Sequence, residues 1–93
     1  MHALVTDVTI HDADNTREML NNQVVPGVSG APGFQTGYWT WLDGEGDLNG
    51  LAMMIFDSAE HATGAGERVK AAAESSDDVT LNRVEIREVV ASA

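Results

Sequence analysis

The sequence predicts an α+β protomer with the ferredoxin-like order β-α-β-β-α-β: a four-stranded antiparallel sheet carrying two helices on one face. Three observations lead there. Pro32 to Ser58 holds two apolar strands, PGFQTGYWTWLD and GLAMMIFDS, joined by the acidic turn GEGDLN. On each side of this hairpin, one segment with strand character and one with helical periodicity complete the six elements. Both hairpin strands also look apolar on both faces, which implies cover on two sides, and a chain of 93 residues can cover only one. A second copy of the chain is the expected cover for the other.

The elements follow in order. Leu4 to Ile10 is a strand with Leu4, Thr6, Val8 and Ile10 on one face and Val5, Asp7 and Thr9 on the other. The segment HDADNTREML then changes period. Asn15 followed by Glu18 fits a capping box opening a helix that carries Met19, Leu20 and Val24, and Pro26 with Gly27 is expected to end it. Val25 to Gly33 is rich in glycine and proline and reads as a long connecting loop of the kind that often serves as a lid. After the hairpin, Asp57 with Glu60 gives a second capping signature, and Ala62, Ala65, Val69, Ala72 and Ala73 recur at helical spacing. Gly64 and Gly66 weaken that helix. Val79 to Val90 alternates, with Val84, Ile86 and Val90 on one face and Arg83, Glu85 and Arg87 on the other, as a strand with one wet side should. No internal repeat or low-complexity segment is present.

Two right-handed crossovers put both helices on the same sheet face. Trp39, Trp41, Leu51, Met53 and Ile55 are assigned to the bare face, and Tyr38 to the face under the helices. Exposed together, the first group would exceed the apolar patch that monomers usually tolerate. Burying them at ~1.5–3 kcal/mol each gives on the order of 10 kcal/mol per protomer, against an association cost of ~4–15 kcal/mol. A homodimer is expected.

Composition narrows the function. Residues 1–93 make one domain, with 15 acidic residues against 5 basic and a formal net charge of −10. The basic residues are scattered, so nucleic acid and anionic membrane are disfavoured as partners. Without cysteine there is no disulfide, thiolate metal site or cysteine nucleophile. MHALVTDVTIHD lacks the basic start of a signal peptide and no apolar run approaches a membrane span, so a cytoplasmic protein is expected.

Among single residues, Asp7 is the candidate acid–base group. A carboxylate amid apolar neighbours in mid-strand is expected to be desolvated, with its pKa raised toward the range useful for proton abstraction; the bland reading is a paired or edge-facing Asp. His11, four residues on, lies about 13 Å away along the strand, too far for a direct dyad. His61 falls in the first turn of the second helix, either as a ligand contact or as a solvated imidazole. Tyr38 and Phe56 are the candidates to touch a ligand between sheet and helices. Trp39 and Trp41 form either packed core or interface, or a platform for a flat molecule. Asp43, Glu45, Asp47 and Asn49 alternate like a calcium loop, but Leu48 and Met54 stand where that loop requires Gly and Glu, and no metal is expected. Gly64-x-Gly66 lacks the remaining glycine and preceding strand of a dinucleotide fingerprint.

The order of elements, Pro32-Gly33-Phe34 opening the second strand, and Ile55-Phe56-Asp57-Ser58-Ala59-Glu60 closing the third resemble the antibiotic biosynthesis monooxygenase family. That resemblance implies a dimeric α/β barrel with a small-molecule cleft between helices and sheet. It further implies an oxygenase acting on an aromatic molecule without metal or organic cofactor, with Asp7 as base or acceptor and Tyr38, Phe56 and His61 around the ligand. The alternative is a non-catalytic ligand-binding or structural dimer of the same fold. The haem-degrading branch would want an Asn in the first strand, a Trp ending the third and a His late on the second helix or just after it. This chain has Asp7, Phe56 and an early His61 instead, which disfavours that activity.

Overall fold

A computed structural model describes residues 1–42 and 44–93. The chain runs β1 (His2–Ile10), α1 (Ala13–Met19), a π-helical turn (Leu20–Val24), α2 (Val25–Ser29), β2 (Phe34–Trp41), β3 (Leu48–Phe56), α3 (Ala59–Glu74) and β4 (Val79–Glu88). The four strands form one antiparallel sheet in the order β2-β3-β1-β4. This is the ferredoxin-like arrangement, with the helical segments against one face and the other left open. Val90 falls beyond the end of β4.

The core lies between β1, β3 and α3. Leu4, Met54 and Phe56 from the sheet meet Ala62 and Ala65 from the helix, and all five are buried. Phe34 packs edge-to-face on Phe56, with ring centroids 5.7 Å apart. The two glycines of α3 differ in role. A Cβ on Gly66 would stand 3.3 Å from Leu4 Cδ1, so the bare backbone there lets α3 settle onto β1, whereas Gly64 faces open space.

Both helix starts differ from the sequence reading. Asp12, not Asn15, caps α1: its carboxylate accepts from the Asn15 N–H at 3.0 Å, and the helix begins two residues before Asn15. Ser58, not Asp57, caps α3, accepting from the His61 N–H at 3.2 Å. In each case a better-placed acceptor lies upstream or next door, and Asn15 and His61 become the residues whose N–H groups are capped.

Pro26 does not end the first helical run. The backbone stays helical through Ser29, so Val25–Ser29 is a helix and only the stretch after it connects to β2. The π turn explains this. The Val25 N–H reaches back five residues to the Leu20 carbonyl, which resets the hydrogen-bond ladder immediately before the proline. Pro26 then sits in the first turn of α2, where a missing N–H costs little.

The hairpin register corrects the assignment of faces. Trp39 pairs with Ala52 and Trp41 with Gly50, on the helix side; Tyr38 pairs with Met53 and Thr40 with Leu51, on the open side. Tyr38 is 71% exposed and Met53 47% exposed, while Trp39 packs against the core. The tryptophans lie where glycines leave room. Carbons of the Trp39 ring come within 3.2–3.3 Å of where a Gly37 Cβ would be, and Trp41 stands opposite Gly50, which has no space for a side chain between Val8 and Ile10.

The position of the first cap is open to a stability test. Asp12→Ala is expected to lower unfolding free energy by about 1 kcal/mol in urea titrations, and Asn15→Ala to stay within about 0.5 kcal/mol of wild type. The reverse order of effects would place the helix start at Asn15 after all.

Candidate functional site

The register gives the helix face of the sheet an aromatic strip, and the helices do not cover it. α3 packs over β4 and β1, α2 reaches β2, and a cleft of about 950 Å³ opens between the two helical runs. Its floor includes Thr6, Val8, Trp39, Trp41 and Ala52. One wall carries Thr16, Leu20, Val24 and Val28; the other carries Ala65, Val69 and Ala72 of α3. The lining is mostly apolar, concave and of a size that suits a small molecule.

The polar groups of the cleft are few. Arg17 lays its guanidinium over the Trp41 ring, with Cζ 4.9 Å from the centroid. Arg68 of α3 lines the opposite wall. Thr16 is only 3% exposed, and its Oγ1 has no hydrogen-bond partner among the described residues. The backbone around it is satisfied, since the Thr16 N–H donates to the Asp12 carbonyl at 3.0 Å. The hydroxyl alone is orphaned.

The four residues singled out from sequence do not converge. Asp7 lies on the open face of the sheet, away from the cleft. Its Oδ1 accepts from Asn49 Nδ2 at 2.8 Å and Asn82 Nδ2 at 3.3 Å, and Oδ2 stands 3.8 Å from Arg83. A bulge in β4, where the register against β1 shifts, supplies Asn82 to this cluster. The carboxylate is therefore a paired group stitching β1 to both its neighbours. Tyr38 borders the cleft along β2, but the register puts its side chain on the open face, where it is exposed. Phe56 does face the helices, but it is fully buried against Phe34 and belongs to the core.

His61 sits beside Asp57, with Nδ1 2.6 Å from Oδ1 and both side chains roughly half exposed. Gly33, at φ 75°, adopts the left-handed backbone that favours glycine, and a Cβ there would collide with the Asp57 carboxylate and the His61 ring. The Asp57 N–H donates to the Gly33 carbonyl at 2.9 Å, so the pair fixes the segment leading into β2. The hydrogen bond from His61, opposed by slight desolvation, holds the Asp57 carboxyl below its ordinary range. His11 bridges Asp47 at 3.0 Å and Thr80 at 2.8 Å, joining the end of β1 to the hairpin turn and the start of β4. Asp43, the first member of the calcium-like alternation, lies outside the described residues. Among the described residues no three His, Cys, Asp or Glu side chains group as metal ligands would, and no helix is long and apolar enough to cross a membrane.

Sequence reading missed Thr16, Arg17 and Arg68. A usable signal was present: Thr16, Leu20, Val24 and Val28 recur at intervals of four, and Arg17 follows the first of them. No family model matches the chain, and no curated protein matches it in sequence.

The Asp57–His61 pair has a definite pH signature. A depressed carboxyl contributes stability that is complete above its unfolded value, about pH 4, and is lost as pH falls through the lower folded value. Melting followed by circular dichroism is expected to show wild type losing stability below about pH 4 more steeply than His61→Ala. Parallel curves for the two proteins would mean the pair contributes nothing.

Proposed function

We propose that this chain binds a small, flat, largely apolar molecule in the cleft between the sheet and the two helical runs, and that it does so as a homodimer. The observation that carries the reading is an aromatic floor that no helix seals. Trp39 and Trp41 are oriented inward by the hairpin register, yet they line an open cleft of about 950 Å³ instead of being sealed by helix. Aromatic rings so placed stack well on planar ligands.

The dimer rests on the other face. Tyr38, Leu51 and Met53 expose a contiguous apolar strip on β2 and β3, and this, without the tryptophans, is the patch that a second copy would cover. Pairing of the two open faces is the dimeric barrel implied by the resemblance to the antibiotic biosynthesis monooxygenase family. It would leave each cleft, on the opposite side of its sheet, free for ligand.

Oxygenase activity without metal or organic cofactor is the second reading, and the breadth of the aromatic floor favours a polycyclic substrate for it. That reading needs a group to take a proton, and among the described lining residues there is no carboxylate or imidazole. Binding is therefore the primary proposal. Oxygen uptake in the presence of a polycyclic phenol separates the two, and Asp7→Asn tests the carboxylate directly: loss of turnover with fold retained supports it as base.

For binding, calorimetric titration with naphthalene-2-methanol is expected to saturate at one ligand per protomer, with Trp39→Ala weakening it about tenfold while the circular dichroism spectrum is kept. For assembly, native mass spectrometry is expected to give a dimer for wild type and a monomer for Met53→Glu, which places a charge in the apolar strip. A wild-type monomer would overturn the sheet-to-sheet pairing.

A further inference from the structure

The charges around the cleft are all of one sign, and it is not the sign of the protein. The chain carries 15 acidic residues and only 5 basic ones, yet the charged side chains that line the cleft among the described residues are Arg17 and Arg68. The other three basic residues are engaged: Lys70 with Glu67, Arg83 with Asp7 and Glu85, Arg87 with Glu85. Arg17 and Arg68 have no carboxylate in salt-bridge reach among the described residues. In a chain with three acids for every base, the two Arg or Lys side chains without a carboxylate partner among the described residues are both at the cleft.

Arg17 is also held in place. Its guanidinium lies over Trp41 at 4.9 Å, which fixes the charge on the aromatic floor, next to Trp39. A stacked guanidinium keeps its in-plane N–H groups free, and that fork matches a carboxylate. The neighbouring Thr16 hydroxyl has no partner to give up among the described residues. A turn about its side-chain torsion toward a ligand oxygen would gain a hydrogen bond and break none.

We propose that the cleft is specific for a planar aromatic acid, whose ring system lies on Trp39 beside the Arg17-covered Trp41 and whose carboxylate is held by Arg17 and Arg68, with the Thr16 hydroxyl as an additional donor. The proposal rests on the reading of the cleft as a small-molecule site and adds the charge of the ligand to it. Remote carboxylates on the protein surface are screened beyond about 8 Å at physiological salt, so two cations in contact with the ligand outweigh the net negative charge.

The test compares 2-naphthoate with its neutral counterpart naphthalene-2-methanol by calorimetry at pH 7, using the full chain. Wild type is expected to bind the acid at least about tenfold more tightly, the usual scale for a charge-assisted contact. Arg17→Gln and Arg68→Gln are each expected to reduce the ratio of acid to alcohol affinity, and the double variant to bring that ratio to about one. Arg68→Lys, which keeps the charge, is expected to retain part of the preference and controls for loss of fold. Equal binding of acid and alcohol to wild type would overturn the proposal while leaving the cleft a binding site. Preference for the acid that survives the double substitution would overturn it as well. Binding of neither compound would fail the cleft reading itself.

Discussion

The register of the β2–β3 hairpin is the constraint on which the rest of this molecule depends. Side chains alternate across a sheet, so sliding one strand by a single residue would exchange everything on its two faces. With Trp39 against Ala52 and Trp41 against Gly50, the indoles enter the helical layer, and Tyr38 and Met53 are turned to the open side. Large rings meet small partners there. Gly37 gives the Trp39 ring a surface to lie on, and Gly50 leaves the space that Val8 and Ile10 fill opposite Trp41. The alternative register would put both indoles on the open face, take Trp41 away from Gly50, and bring Tyr38 under the helices. Packing selects the observed one.

A second irregularity lets the strand serve both core and cleft. Phe34 pairs with Phe56, but Thr36 pairs with Ile55, so Gln35 is an extra residue in β2. Without it, strict alternation would place Phe34 on the same side as Tyr38. The bulge brings Phe34 to the helix side along with Trp39 and Trp41, where it closes the core against Phe56. The helical wall uses an analogous device. In a regular α-helix, residues at intervals of four drift by about 40° per step around the axis, so Thr16 and Val28 would diverge widely. The π turn at Leu20–Val24 is wider and takes up that drift, and Thr16, Leu20, Val24 and Val28 all face the cleft.

These two features explain which parts were legible in the sequence. Element order, the sheet, the helix of Ala62 and Ala65, and the alternation of β4 follow from periodicities of two and 3.6, which any window of residues displays. Face assignment in β2 does not, because a one-residue bulge leaves no mark in composition and inverts the pattern beyond it. The continuation past Pro26 is hidden for a similar reason: proline normally ends a helix, and only a change of ladder just before it makes it harmless. Asp7 stands out in the sequence because its neighbours are apolar. The groups that pair with it, Asn49, Asn82 and Arg83, come from two other strands and are invisible in a local window.

The distribution of charge was half legible for the same reason. Counting residues yields a strongly acidic chain, which disfavours polyanions as partners, but it assigns no place to the few cations. Folding sorts them. Glu85 on β4 lies between Arg83 and Arg87 and engages both, and Glu67 takes Lys70 one helical turn on, so the three bases outside the cleft lining are neutralised by local neighbours. Arg17 sits one residue beyond the cleft-facing Thr16, and Arg68 one before the cleft-facing Val69, and both line the cleft. Their positive charge survives because the sheet and helix positions nearest the cleft are occupied by Thr, Val, Trp, Leu and Ala. Among the described residues this lining offers no carboxylate to pair with an arginine. The same packing that makes the cleft hospitable to an aromatic ring thus also keeps its two cations unspent.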